Sequence, residues 1–434
     1  MIKKFQDIFS IPELKKRILF TIGILVVYRI GGHITAPGVN PLALKAFFSN
    51  QQGTIFALYD MFAGGNLSRA TIFALGIMPY ISASIIIQLL QAVLPFFEKL
   101  AKEGEEGRKK ITQYTRYGTV ALALVQSIGI SLFLENLNVG GASVVTMSPF
   151  AFRLLTMITM TAGTIFVMWL GEQISERGIG NGISLIIMIG IIARYPADFL
   201  NTWRAINLGQ MTPFRLIIFA GIMICVVAGV ILITQGQRRI PVQYAKRIVG
   251  RKVYGGRSQY IPLRVNTAGV IPIIFAQSIL MFPSTIAAFF KSDFLSGMQS
   301  LLSPSSWLYV TLYAIIIIFF TYFYTAIILN PVDLAENMQK YGGFIPGIRP
   351  GKRTSDYIDR VLTRVTLPGA VFLAFIAVLP DILIYKGGLP FRFGGTGLLI
   401  TVGVMLDTLQ QIETHLLMRH YDGFMKKGRL RGRR

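Results

Sequence analysis

Charged, cysteine and histidine residues are scarce in this chain of 434 residues. Asp, Glu, Lys and Arg make up 15% of it, against about one quarter in a soluble protein, and 53% is hydrophobic. A single cysteine, Cys225, excludes a disulfide framework and a thiolate metal site. Three histidines leave little for metal chemistry. The composition therefore argues against a disordered chain and a soluble enzyme, and we expect no metal and no cofactor.

Long apolar runs recur instead, and a membrane-spanning helix needs about 20 predominantly apolar residues. We predict ten spans, at roughly 18–36, 71–97, 115–134, 151–172, 183–200, 214–234, 266–290, 307–329, 364–384 and 395–413. The middles of the second, third and fifth to eighth spans contain no Asp, Glu, Lys, Arg or His. That pattern argues against ion coupling and against a membrane enzyme with paired carboxylates. No HExxH or Walker lysine motif is present.

The net charge of +23 is unevenly distributed over the connections between these spans. Connections on one predicted side hold 33 basic residues, and those on the other side hold nine. Cytoplasmic connections carry the excess of Lys and Arg. The charge therefore predicts a topology with both termini in the cytoplasm, rather than a nucleic-acid surface. No cleavage site follows the first basic stretch, so the first span is expected to remain in place.

Ten spans divide into two sets of five, residues 1–205 and 206–434, which would be inverted-topology repeats with the pathway between them. Internal sequence similarity is not evident, so this division rests on the span count and the resemblance below. Prolines lie inside several predicted spans, among them Pro79, Pro272, Pro283 and Pro368. Because proline breaks the helix ladder, these spans should line a cavity or pack against protein. The stretch "RGIGNG" at 177–182 predicts a turn at a helix entrance.

A pathway without fixed charges suits a substrate of variable sequence. Fixed charges would trap some polypeptides, whereas an apolar constriction binds none strongly and excludes water by dewetting. β-Branched isoleucine is stiff and fills such a constriction. The residues alone leave two alternatives open, a secondary transporter with broken helices and an integral membrane enzyme.

Eight stretches identify a family. They are "MFAGGNLSRATIFALGIMPYISASIIIQLL", "KKITQYTRYGT", "WLGEQISERGIGNGIS", "GQRRIPVQYAKR", "NTAGVIPIIFAQSI", "YTAIILNPVDLAENM", "FIPGIRPG" and "FGGTGLLI". In this order they resemble the SecY family, the pore subunits of the bacterial protein-export channel. The resemblance implies an all-α integral membrane protein with ten transmembrane helices in two inverted halves around a central pore. It also implies a passive channel, not an enzyme, for export of secretory polypeptides and lateral insertion of membrane proteins.

The resemblance assigns residues 60–70 to a plug that fills the outer vestibule of the resting channel. The matching plug residues are Phe62, Gly64, Gly65, Asn66, Leu67, Ser68 and Arg69. Gly64 and Gly65 would let the segment hinge, because glycine tolerates dihedral angles that other residues do not. On the residues alone, an ordinary loop is an equal alternative.

The resemblance also implies a pore ring and a lateral gate. The ring positions match Ile77, Ile81, Ile187, Ile274 and Ile400. The polar gate positions match Ser82, Gln126 and Asn266, whose weak interhelical hydrogen bonds could hold a seam closed yet yield to a signal sequence. Without the resemblance the isoleucines would be ordinary core, and Asn266 could be a helix-end cap.

Two long loops, 235–264 and 330–364, resemble the docking loops for the ribosome and the motor ATPase SecA. The first has eight basic residues and no acidic one, which suits a phosphate-rich partner. The docking residues are Lys246, Arg247, Arg251 and Arg349. The other implied partners are SecE and SecG subunits, precursors with signal sequences, and the lipid of the bacterial cytoplasmic (inner) membrane.

Overall fold

The fold is described from a computed structural model, over residues 11–50, 55–139, 142–209, 212–244, 247–249, 252–254, 258–289, 306–387 and 396–427. The helices are α1 Pro12–Gly31, α2 Pro41–Asn50, α3 Ile55–Phe62, α4 Met78–Val93, α5 Pro95–Lys102, α6 Glu105–Glu135, α7 Pro149–Arg177, α8 Gly182–Ile192, α9 Tyr195–Asn207, α10 Pro213–Gln235, α11 Ile271–Phe289, α12 Trp307–Ile328, α13 Pro331–Lys340, α14 Lys352–Gly387 and α15 Thr396–Lys427. The strands are β1 Asn138–Val139, β2 Ala142–Ser143, β3 Gln237–Tyr244, β4 Arg247–Val249, β5 Lys252–Tyr254, β6 Ser258–Arg264 and β7 Gly343–Phe344.

Proline and asparagine set many helix starts. Proline occupies the first turn of helices α1, α4, α5, α7, α10 and α13, where its missing N–H costs no intrahelical hydrogen bond. Asn181 caps α8, since its side chain accepts hydrogen bonds from the backbone N–H of Ile183 and Ser184. The predicted turn at this helix entrance is confirmed.

Chain contacts divide the protein into two compact units, residues 1–201, 278–306 and 404–434 in unit 1, and residues 202–277 and 307–403 in unit 2. In unit 1, α6 and α7 form an antiparallel pair joined by an ion pair at each end. Arg116 donates two hydrogen bonds to the Glu172 carboxylate, and Arg153 pairs likewise with Glu135. Helix α4 packs against α6, where a Cβ at Gly118 would lie 3.4 Å from the Cβ of Ala83.

Unit 2 combines long apolar helices with a small antiparallel sheet. Helix α12 packs along α14, and β3 pairs antiparallel with both β6 and β7. A core beneath this sheet consists of Ile240, Val242, Leu263, Met338, Ile345, Ile358 and Leu362. The loops 235–264 and 330–364 therefore contain ordered strands and helix α13, which the sequence analysis did not predict.

Six helical segments of the described chain are long and apolar enough to cross a membrane. They are Glu105–Glu135, Pro149–Arg177, Gly182–Arg204, Phe214–Gln235, Trp307–Lys340 and Lys352–Leu379. The pair α4 and α5, bent by 97°, would make a seventh if it is one span. The ten-span division and the boundary at residue 205 stay predictions.

Two of the prolines predicted to break the helix ladder inside a span, Pro79 and Pro272, lie at helix starts instead. Helix α4 begins at Met78, so Pro79 lies in its first turn and starts the helix instead of bending it. Pro272 likewise lies in the first turn of α11. Residues 71–77 form turns before α4, and the bend in the predicted second span follows Val93. Pro283, in contrast, lies inside α11.

Candidate functional site

The segment at residues 60–70, the plug segment, is enclosed by other parts of unit 1. Helix α3 ends at Phe62, and the chain then runs through turns to the start of α4. Phe62, Gly64, Gly65, Asn66 and Leu67 are buried, Ser68 is half-buried, and Arg69 is exposed. Such burial is unusual for a segment of turns, because its backbone polar groups must find partners inside the protein.

Helix α1 supplies several of those partners. The Tyr28 hydroxyl donates to the carbonyl of Ala63, and Asn66 Nδ2 donates to the Tyr28 hydroxyl oxygen at 3.3 Å. Arg29, in the last turn of α1, donates to the carbonyl of Gly64 at 3.2 Å. Arg29, a charged residue within the first predicted span, therefore interacts with the plug segment.

The α8–α9 region forms a second side of the enclosure. Asp60 is buried, and its Oδ2 lies 3.4 Å from Arg194 Nη1. Its Oδ1 accepts a hydrogen bond of 2.8 Å from the backbone N–H of Ser68, which closes the segment on itself. A Cβ at Gly64 would lie 3.0 Å from the Cα of Gly190 in α8. The two backbones thus meet where neither residue has a side chain.

Several residues of the segment have left-handed backbone conformations. Gly64 and Gly65 have φ of 73° and 80°, which favours glycine. Ala70 has φ of 42° and is the one non-glycine residue of the described chain with positive φ. Hydrogen bonds at both of its backbone groups hold it there, from its N–H to the carbonyl of Leu67 and from Ala36 N–H to its carbonyl.

Tyr59 fixes the start of the segment. Its hydroxyl donates to the carbonyl of Leu75 at 3.2 Å, and burial raises the pKa of this phenol well above its usual range. The hydroxyl therefore stays protonated and keeps its role as donor. Sequence reasoning missed Tyr28, Arg29 and Arg194 as partners of the plug segment. The available signal was Asp60 itself, since a carboxylate within an apolar stretch requires a cation or hydrogen-bond donors.

The five predicted ring residues are all buried, with exposures of 5% or less. In unit 1, Ile77 precedes α4 and its carbonyl accepts from the N–H of Ile81, while Ile187 lies in α8. In unit 2, Ile274 lies in α11 and Ile400 in α15. A single ring formed by these side chains stays a prediction.

The three predicted gate residues are also buried. Ser82 lies in α4 and Gln126 in the neighbouring α6, within unit 1. Asn266, in unit 2, precedes α11 and donates from Nδ2 to the carbonyl of Gly269, so it stabilises a turn rather than capping the helix. Gln126 Oε1 and Asn266 Oδ1 are buried without a hydrogen-bond partner in the described part of the chain. Buried polar atoms of this kind cost free energy, on the order of 1–3 kcal/mol each.

The predicted docking residues lie in less completely described parts of the chain. Lys246 and Arg251 fall outside the described residues, and Arg247 belongs to β4. Arg349 is exposed, in a turn where its carbonyl accepts a hydrogen bond from the hydroxyl of Thr354. No group of three or more His, Cys, Asp or Glu residues that could hold a metal ion occurs among the described residues.

Comparisons with known proteins show the family to which the chain belongs. Residues 71–409 match the SecY family model. A protein translocase subunit SecY of Escherichia coli K12 is 49% identical over 427 residues, which are 98% of this chain and 96% of that protein. The protein of the same name from Aquifex aeolicus is 44% identical over 98% of this chain and its own full length.

Solved structures share the fold. One, described as "The structure of a protein conducting channel", has a TM-score of 0.64 at 19% identity, with 92% of each chain covered. A second, with a TM-score of 0.64 at 20% identity and the same coverage, is described as showing that the plug domain of SecY stabilises the closed state and maintains a membrane seal. By its family match and by relatives that cover nearly its whole length, the chain belongs to the SecY family.

Proposed function

We propose that this chain is the pore subunit of a channel that conducts polypeptides across a membrane and releases membrane proteins into it. The match to SecY translocase subunits over 98% of the chain carries this conclusion. The fold shared with protein-conducting channels supports it. The chain is a passive pore and not an enzyme, so the energy must come from a partner. The secondary transporter that the sequence left open is not supported by any of these relatives.

The plug segment is proposed to seal the resting pore. Its burial and its hydrogen bonds to Tyr28 and Arg29 support this role, because a seal must be held in a defined position. One structural relative is described as having a plug domain that maintains a membrane seal. Release of the segment would require the loss of these contacts, which are few and polar.

Ile77, Ile81, Ile187, Ile274 and Ile400 are proposed to form the constriction that the plug covers. Their burial and the absence of charge on them suit a site that excludes water without binding the passing chain.

Ser82, Gln126 and Asn266 are proposed to form the polar part of a lateral gate. The unpaired oxygens of Gln126 and Asn266 support this role, because a closed state that leaves them unpaired is only slightly favoured.

Several partners follow from this proposal. One structural neighbour is described as Sec61 in a canine ribosome-channel complex, which supports a ribosome as one partner. We propose that loops 235–264 and 330–364 meet it or the SecA motor, through Lys246, Arg247, Arg251 and Arg349. SecE-like and SecG-like subunits would complete the channel, and secretory precursors would be its substrates.

The proposed location is the bacterial cytoplasmic membrane, with ten spans in two inverted halves, residues 1–205 and 206–434, and with both termini in the cytoplasm. The 33-to-9 distribution of basic residues supports this orientation. Reconstitution of the chain with SecE and SecG tests the function. A secretory precursor should become protected from added protease only when SecA and ATP are supplied.

A further inference from the structure

The plug segment meets the α8–α9 region at two points that lie one helical turn apart. Gly190 and Arg194 are four residues apart in sequence, at the end of α8 and just beyond it. The backbone of Gly64 lies against the first, and the carboxylate of Asp60 lies against the second. Neither contact belongs to the pore ring or the gate described above.

We propose that Asp60 and Arg194 are positioning residues that latch the plug, with Gly190 as the seat against which Gly64 rests. This inference rests on the proposed function, in which the segment seals the pore. It adds the residues that set how readily the seal opens. Asp60 suits the role because its one carboxylate makes both kinds of contact. It accepts a hydrogen bond of 2.8 Å from Ser68 N–H, near the other end of the segment, and lies 3.4 Å from Arg194 in the α8–α9 region.

Burial makes this pair more consequential than an ordinary surface ion pair. The side chain of Asp60 is only 5% exposed, whereas that of Arg194 is 37% exposed. Removal of the arginine would leave a buried carboxylate with its cation missing, an unfavourable state that movement of the plug into water relieves. Because Arg194 itself reaches solvent, added salt should weaken the pair.

The seat is steric rather than electrostatic. A methyl group at Gly190 would meet the Gly64 Cα at 3.0 Å and its nitrogen at 3.4 Å, which is too close without displacement of the plug. Gly23 in α1 offers a matched control, because a Cβ there meets nothing within 4 Å. Both substitutions place alanine in a helix, and they differ in what the methyl group meets, since Gly190 is buried and Gly23 is exposed.

The experiment measures release of the plug in the full complex with its partner subunits. Cys225 is replaced by serine, and Leu67, buried in the segment, is replaced by cysteine and treated with a water-soluble maleimide. The labelling rate reports the fraction of time for which the segment is open. Asp60→Asn, Arg194→Gln and Gly190→Ala should each raise this rate about tenfold, as loss of a partly buried contact does. Gly23→Ala should leave the rate unchanged.

A double-mutant cycle shows whether Asp60 and Arg194 act on the plug as one pair or independently of each other. The double variant Asp60→Asn with Arg194→Gln should label no faster than either single variant, because the same pair is lost. Arg194→Lys, which keeps the positive charge, should restore most of the slow rate. Salt raised from about 0.05 M to about 0.5 M should speed labelling of the parent protein but not of Arg194→Gln.

Additive effects in the cycle, or a labelling rate unchanged in Arg194→Gln, would overturn the latch. Melting temperature and yield of the complex show whether a variant is merely misfolded. If Arg194→Gln is misfolded, the isosteric Asp60→Asn decides, and an unchanged labelling rate in it would overturn the latch. Precursor transport by the parent complex tests the proposed function independently. Faster labelling of the variants together with no transport by the parent would refute the function and leave the latch standing.

Discussion

At the scale of single residues, the site is distinguished by buried polar atoms more than by any reactive group. Gln126 and Asn266 each have a buried carbonyl oxygen without a partner in the described chain. Ile400 is completely buried in α15. An isoleucine in a packed core would be buried to the same extent, so burial alone does not distinguish a pore constriction from a core. A polar substitution can distinguish them.

Ile400→Asn should therefore behave differently from an equally buried neighbour. In a constriction the amide wets the seal, so the complex should assemble normally, leak ions in planar bilayers and export precursors with defective signal sequences. In a core it would cost roughly 1–3 kcal/mol and reduce the folded yield. Leu399→Asn, also fully buried but about 100° around the helix, is the matched control. A low yield of Ile400→Asn without ion leak would place the constriction elsewhere.

Gln126→Leu should stabilise the closed state of the proposed gate. The substitution removes a buried unpaired oxygen and keeps a similar volume, so we expect unchanged or higher thermal stability, by up to about 1 kcal/mol. The ratio of export with weak signal sequences to export with strong ones should then be lower in Gln126→Leu than in the parent protein. Asn266→Leu differs, because it also removes the hydrogen bond to Gly269 and should lower stability. An unchanged ratio of weak to strong signal sequences in both variants would make these residues purely structural.

At the scale of elements, the sequence predicts helix positions better than helix ends. Apolar runs locate α10 and the apolar parts of α6 and α7, but not the charged turns with which α6 begins and α7 ends. Pro79 was misinterpreted because a proline within an apolar run is compatible with both a kink and a helix start. Strand β3 was missed because only Ile240 and Val242 of its eight residues are buried, among basic and polar neighbours.

The loop that contains Arg349 should act in partner docking. Arg349→Glu reverses the charge of an exposed side chain in a turn, so abundance and membrane insertion should be normal while SecA-driven export falls about tenfold or more. Arg353→Glu makes the same change in charge at an exposed position nearby and should have a smaller effect. Equal export by both variants in membrane vesicles would remove Arg349 from the docking site.

At the scale of the whole molecule, the charge distribution predicts the orientation. Single cysteines at Glu105, Gln259 and Lys352, all exposed, should react with an impermeant reagent only from the cytoplasmic side, in a Cys225→Ser background. A cysteine at Ser148, also exposed, should react only from the outside. Labelling of position 259 from outside would contradict the ten-span topology.

The contacts of the plug segment could not be predicted from the sequence as the orientation was, because Asp60 and Arg194 are brought together only by tertiary folding.

Transport of a polypeptide tests the central claim most directly. The chain is reconstituted with SecE and SecG in liposomes and given SecA, ATP and a secretory precursor whose signal sequence is intact or deleted. We predict that the precursor becomes protease-protected only with ATP and an intact signal sequence, and that cysteines at Ile81 and Ile400 both crosslink to a precursor stalled in transit. Failure to protect the precursor under all conditions, in a complex that is folded and fully assembled, would contradict a protein-conducting channel.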